Sequence, residues 1–322
     1  MSFHVDAWDP SYGASLDASG SGSADGLDIE VELPAHEWRP LNAPAGITPP
    51  ATVLMVDGIR RIDARIWTAG VGGGPPSPGL ACSYAAGVVR CAASTATVAA
   101  ATVERSIFTS AADQSDVDAG STVRYKAVRI EGAQDADLMA AMQTALMQLE
   151  QRTTTEVLAG LSGGDELVVV DGPLRGPGAP PRVVGYAKTQ QKQYLPDHLL
   201  PVVGALAPGQ RTPVFRIGGR WTRFTWYLRQ PGGIPIPWSG VVRLECSAEL
   251  TPQQAIDLAH LSCVTLPRYA SSAVKDPRAP QQLVPIGGLE QRLRRMLGDT
   301  KLLQRALVSA SARQMPTASP PA

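Results

Sequence analysis

Two short segments of this 322-residue chain end in a carboxylate placed where chemistry could use it. Residues 53–58 read Val-Leu-Met-Val-Asp57-Gly58, and residues 167–172 read Leu-Val-Val-Val-Asp171-Gly172. Each is a continuous apolar run, the pattern of a strand buried on both faces, followed by Asp-Gly. Taken singly, an Asp at a strand end is commonly a turn former. On neighbouring strands, however, the two carboxylates would face each other across a few ångströms and repel unless a divalent cation sat between them. Oxygen donors of this kind suit Mg²⁺ or Mn²⁺. A third acid would complete such a cluster. The helix expected just before the second segment offers Glu150 and Glu156 in its C-terminal half.

The elements that must hold these acids can be read from periodicity. Residues 51–57 predict a buried strand with its turn, and residues 59–67 alternate like a second strand, so a hairpin is expected there. Residues 80–89 and 123–130 read as further strands. Between residues 135 and 161 the period changes: Leu138, Met142, Ala145, Leu146, Leu149 and Val157 recur at steps of three and four, which predicts an amphipathic helix stopped by Gly163-Gly164. Strands follow at 166–171 and 182–188, then a helix at 195–206. A meander of strands comes next at 214–217, 221–229 and 240–246, followed by helices at 252–263 and 288–307. Strands, helix, strands, helices make an α/β or α+β sheet domain without internal repeats. Residues 1–45 read as a partly disordered arm, residues 46–308 as the body and residues 309–322 as a disordered tail. Trp8, Tyr12 and Trp38 are apolar anchors on that arm and are expected to bury themselves on the body or on a partner.

Composition narrows the classes. Lys+Arg and Asp+Glu are both 29, so the formal net charge is zero, which excludes a protein that coats nucleic acid by bulk charge but not one with a local basic channel. The four cysteines, Cys82, Cys91, Cys246 and Cys263, form no CxxC pair and have no His at zinc-ligand spacing, so they are expected to be buried thiols in a reducing compartment. The N-terminus lacks a basic n-region and an apolar h-region, and no apolar run reaches about 18 residues, the length a spanning helix needs. A cytoplasmic protein with no membrane segment is the expectation.

Other residues have a structural and a chemical reading. Lys188 ends a strand, where it is either solvated or close enough to stabilise a developing negative charge. Arg175, Arg182 and Lys192 flank the second acidic segment and could guide a phosphate backbone. Trp221, Phe224, Trp226 and Tyr227 interleave with Arg220, Arg223 and Arg229; core packing is expected of Trp226, while Tyr227 is open to base stacking. His260 sits in an apolar helix and is expected to be a satisfied core residue. The Gly72-Gly-Gly-Pro-Pro stretch is a loop rather than a phosphate cradle. The helix at 288–307 carries Arg292, Arg294, Arg295, Lys301 and Arg305, a basic face for DNA or a partner.

The order and spacing of these motifs resemble the NurA-type DNA repair nucleases over residues 50–300. The similarity rests on Val56-Asp57-Gly58-Ile59-Arg60, a helical acid, Val170-Asp171-Gly172-Pro173-Leu174, the Gly-x-x-Lys strand Gly185-Tyr-Ala-Lys188, and the late strand Val241-Val-Arg243-Leu-Glu245. What the resemblance implies is an RNase H-like mixed sheet flanked by helices, hydrolysing phosphodiesters at DNA ends with Mn²⁺ or Mg²⁺ by a two-metal mechanism. It implies a homodimer that works with a HerA-like hexameric ATPase, the arm and the basic helix being the expected contact surfaces. Carried over by position, Asp57 and Asp171 are metal ligands, Glu150 is the helical acid with Glu156 as runner-up, and Lys188 is catalytic. The chain departs from the family pattern at Ile59 and Pro173 and in the late segment at 276–288, where Asp276 or His260 is left to supply the fourth ligand. A non-catalytic adaptor on the same fold and an enzyme acting on RNA or hybrids are the rival readings.

Overall fold

The computed structural model describes residues 26–70, 74–160, 164–174, 180–189, 193–219, 221–233 and 238–314. Trp8, Tyr12, Gly72, Arg175, Lys192 and Arg220 lie outside the described residues. The strands are β1 (Thr52–Thr68), β2 (Ser77–Ala92), β3 (Thr95–Thr109), β4 (Val117–Asp118), β5 (Arg124–Arg129), β6 (Leu167–Asp171), β7 (Val183–Ala187), β8 (Phe215–Ile217), β9 (Arg223–Arg229) and β10 (Val241–Ser247). The helices are α1 (Asp135–Ala159), α2 (Leu200–Gly204), α3 (Pro252–Thr265), α4 (Val284–Met296) and α5 (Thr300–Gln314). Hydrogen bonding links the strands in the order β4-β5-β3-β2-β1-β6-β7-β10-β9-β8. β1 and β7 both pair parallel with β6, β3 pairs parallel with β5, and β10 is antiparallel to β7 and β9. The protein is thus a mixed α/β fold, as the alternation of elements predicts.

The chain divides into two compact units, Met1–Val56 with Val89–Thr97 and Ser162–Gly288, and Asp57–Val88 with Val98–Leu161 and Leu289–Ala322. In the first, Trp38, Leu199, Val203, Phe215 and Tyr227 belong to one core cluster. Residues 26–45 lie on this unit: Asp28 bridges Arg216, Leu41 bridges Arg211, and Glu32 accepts from Arg211 at 2.7 and 2.8 Å. The Trp38 ring is 5.7 Å from that of Phe215 and is buried, so this anchor is used within the chain and is not available to a partner. In the second unit, Leu138, Met142, Leu146 and Leu149, all on one stripe of α1, pack with Leu80, Cys82, Tyr84 and Phe108. α1 is capped by Gln134, whose backbone N–H donates to Asp137 Oδ2 at 3.1 Å.

Two expectations are corrected, and one strand, β3, was not expected. The hairpin at Asp57-Gly58 does not form, because β1 runs unbroken through both residues. β3 carries no hydrophobic alternation that would have announced it. The single helix expected at 288–307 is two helices, broken at Gly298, whose φ of 78° only glycine adopts without strain. α5 then continues to Gln314.

Candidate metal centre

β1 and β6 run parallel with Val56 opposite Val170. One residue further along each strand stand Asp57 and Asp171, so the two acids share a face of the sheet. Asp57 is buried, and its Oδ1 accepts the Gly58 N–H at 2.8 Å. β6 ends at Asp171 because Gly172, at φ 96°, turns the chain away. A third carboxylate comes from α4, where Glu290 is buried on the stripe of Ile286, Leu289, Leu293 and Leu297. One oxygen each of Asp57, Asp171 and Glu290 lies within 4.8 Å of the others.

The donor set fits a hard divalent cation. It is all carboxylate oxygen, with no thiolate or imidazole. Ligands about 2.1 Å from a six-coordinate Mg²⁺ lie about 3.0 Å apart when adjacent and about 4.2 Å when opposite, so three oxygens within 4.8 Å of one another would draw together around the ion. Lys188 places Nζ 2.5 Å from Asp171 Oδ2, its side chain 9% exposed, and Arg294 Nη2 is 3.5 Å from Glu290 Oε2. The ammonium therefore neutralises part of the acid group, and the more distant guanidinium does so weakly. On the same face of β7, Tyr186 stands opposite Asp171 and is fully buried. It donates to Gln281 O at 2.7 Å and accepts from Gln230 Nε2 at 2.9 Å, and burial pushes its phenol pKa well up.

The other residues singled out from the sequence fall in different places. Glu150 is half-buried on α1, and its Oε1 comes within 2.3 Å of where a Cβ on residue 58 would be, so Gly58 opens the space in which this carboxyl lies beside β1. Glu156 is exposed, in a surface hollow with Gln151 and Arg152. Asp276 is not one of the three clustered acids. Arg278 holds it, through Nη2–Oδ2 at 3.0 Å and Nε–Oδ1 at 3.1 Å. Burial pushes the Asp276 pKa up, but the hydrogen bonds and charge of Arg278, with Lys188 adding to them, outweigh it and hold the carboxyl below its usual range. His260 is also outside the group; burial and the nearby Arg211 lower its pKa. Trp226 is fully buried and donates to Ser262 Oγ at 3.1 Å, and Tyr227 stacks on Phe215 at 6.0 Å, so both rings are core. Arg182 pairs with Asp165 at 3.1 Å. All four cysteines are free and buried; burial pushes Cys91 up to about 11 and the other three to about 12, so they are protonated thiols.

One functional-looking residue was missed from the sequence, and the setting of another, Glu245 of the late strand, was not foreseen. Glu290 is the acid on an otherwise apolar stripe of a basic helix, and that misfit was the available signal. Glu245, fully buried at the centre of β10, accepts from Arg223 Nη1 at 2.8 Å, from Arg243, and from the Leu174 N–H at 3.0 Å. Arg223 also donates to Leu174 O at 2.7 Å, so this pair grips both ends of a residue three places after Asp171.

No protein-family model matches the chain, and no curated protein matches it in sequence. Among solved structures the chain is similar to the NurA nuclease from Sulfolobus solfataricus, at 9% identity and a TM-score of 0.49, covering 87% of this chain and 89% of that one. It is also similar to the catalytic domain of human Endonuclease V, at 15% identity and a TM-score of 0.31, covering 80% and 86%. Neither likeness carries the functional reading, which rests on the three carboxylates.

Proposed function

We propose that the protein is a metal-dependent nuclease that hydrolyses phosphodiesters in DNA end processing or repair. The observation that supports this is the group of Asp57, Asp171 and Glu290 oxygens within 4.8 Å of one another. These residues would hold Mn²⁺ or Mg²⁺, with Glu150 approaching beside Gly58 as a further ligand; Asp276, given to Arg278, takes no part. When bound, such an ion supplies an activated water and charge stabilisation at the phosphate. The chain's own contribution is to orient the carboxylates from two parallel strands and a helix. Lys188 holds Asp171 in place and offers an ammonium to the charge that develops on the phosphate. Tyr186, kept protonated by burial, keeps a neutral hydroxyl behind Asp171.

The resemblance stated above extends this reading to a homodimer acting with a HerA-like hexameric ATPase in a reducing, cytoplasmic setting, to which the four free thiols are suited. No helix among the described residues is long and apolar enough to cross a membrane. The test is cleavage of single- and double-stranded DNA and of RNA with Mn²⁺, with Mg²⁺ and with EDTA. Metal-dependent cleavage of DNA lost in Asp57→Ala and Asp171→Ala supports the reading. A folded protein inactive under every condition would favour the adaptor, and cleavage confined to RNA would favour the third reading.

A further inference from the structure

Glu245 stands on the opposite face of the sheet from the clustered acids. β7 lies between β6 and β10, with Gly185 opposite both Val170 and Glu245, and Tyr186 opposite both Asp171 and Leu244. Side chains alternate along a strand, so Glu245 shares a face with Val170, and Asp171 points to the other side. Glu245 is therefore no ligand to an ion held by Asp171. The chain after Asp171 nevertheless comes to it. Gly172, at φ 96°, turns the backbone, and its N–H donates to Tyr186 O at 2.9 Å. Residues 172–174 then lie against β7. A Cβ on residue 185 would fall 2.8 Å from Leu174 N and 3.0 Å from Gly172 O, so only glycine leaves room for this strap.

The far end of the strap is gripped by charge. Leu174 N donates to Glu245 Oε2 at 3.0 Å. Arg223 Nη1 donates to Leu174 O at 2.7 Å and to Glu245 Oε2 at 2.8 Å, so one nitrogen links the carbonyl to the carboxylate. Arg243 donates to Glu245 as well, and its guanidinium lies 4.6 Å from the centre of the Tyr194 ring. Glu245 is fully buried, while the Arg223 side chain keeps 18% of its exposure. A buried ion pair is a poor source of stability compared with apolar residues of the same volume. What this one supplies is direction, because it holds both polar groups of one backbone residue.

We propose that Glu245 and Arg223 are positioning residues for the metal site, clamping the Leu174 backbone so that the turn after β6 fixes where the Asp171 carboxylate points. Asp171 is the last residue of β6, so the strand ladder holds it from one direction only. Lys188, 2.5 Å from Asp171 Oδ2, draws the carboxylate towards β7. A held continuation at Gly172 and Leu174 keeps the backbone from following that pull. Groups that orient a ligand without touching the ion typically change metal affinity 10–100-fold when removed. The inference rests on the reading of Asp171 as a metal ligand. The strap itself is read in the metal-free protein, which keeps the two apart.

Two substitutions attack the strap from different sides. Arg223→Met removes the grip on Leu174 O while Arg243 still balances Glu245, which avoids the unfolding expected when Glu245 itself is replaced. Gly185→Ala leaves the ion pairs whole and pushes on the strap with its Cβ. In the metal-free full-length protein, amide hydrogen exchange read by NMR should be at least about tenfold faster at Leu174 in each variant, with α3 at wild-type rates. Calorimetric titration with Mn²⁺ should show affinity about tenfold weaker in each. The double variant should lose less than the two losses combined, because both act through one strap. Leu174 exchange at the wild-type rate in both variants would overturn the proposal, as would faster exchange spread equally over α3. Wild-type Mn²⁺ affinity in a variant whose Leu174 amide is freed would overturn it too. A wild-type chain that binds no Mn²⁺ would overturn the metal reading and this inference with it, whereas variants that bind as wild type does overturn this inference alone.

Discussion

Replacing Asp57 or Asp171 by Asn should separate the two ways these acids act. Each substitution removes a charge from the group and should cut metal-dependent cleavage on the order of 10² or more. Their effects on the metal-free protein should differ. Asp57→Asn relieves repulsion with Asp171 and Glu290, so its melting temperature should not fall. Asp171→Asn takes away the carboxylate 2.5 Å from Lys188, whose side chain is 9% exposed, and leaves a near-buried ammonium without its hydrogen-bonded counter-ion, so its melting temperature should drop. Calorimetric melts of the two variants in EDTA check this ranking. At the helical acid, Glu150→Gln should reduce activity far more than Glu156→Gln, because Glu150 lies beside Gly58 and Glu156 is exposed. Gly58→Ala should mimic the Glu150 loss, since its Cβ would fall 2.3 Å from Glu150 Oε1. Asp57 and Asp171 were legible in the sequence because each closes an apolar run. Glu290 was not, because the surrounding arginines drew attention to the exposed face of α4, and the acid on its buried stripe shows only once the helix phase is known.

At the level of elements, α1 was the clearest in the sequence because one stripe of leucine and methionine runs from Leu138 to Leu149. Leu146→Ala should cost about 2–5 kcal/mol by the cavity it leaves, readable by urea denaturation. β1 was misread for a physical reason. Asp-Gly is a turn signal where glycine needs a positive φ, as at Gly172, whereas at Gly58 the missing Cβ serves the approach of Glu150 and the strand continues. The start of β3 was invisible because residues 95–99, exposed on both faces, have no alternation to detect. The segment around Asp276 carries a pH prediction. Arg278 lowers that carboxyl's pKa in the folded state, so the pair contributes stability that is present above the unfolded pKa near 4 and lost as pH falls through the lowered folded value. The stability difference between wild type and Asp276→Asn should therefore shrink below about pH 4. A difference that stays constant from pH 7 to pH 3 would contradict this assignment.

For the molecule as a whole, the zero net charge hides an uneven distribution. α4 and α5 expose Arg292, Arg295, Lys301 and Arg305, while Asp57, Glu245 and Glu290 are buried. The sheet class and the acidic pair could be anticipated from order and periodicity. The path of residues 26–45 over their own unit could not, since Trp38 reads the same whether it buries at home or abroad. The central claim is that Asp57, Asp171 and Glu290 act together on a divalent cation. The most direct measurement is Mn²⁺ titration of the full-length chain by calorimetry, repeated on Asp57→Asn, Asp171→Asn and Glu290→Gln, each shown to be folded, with DNA cleavage read in the same samples. Saturable Mn²⁺ binding and cleavage that are both lost in all three variants is the predicted result. Binding or cleavage that survives unchanged in the folded Glu290→Gln protein would contradict it.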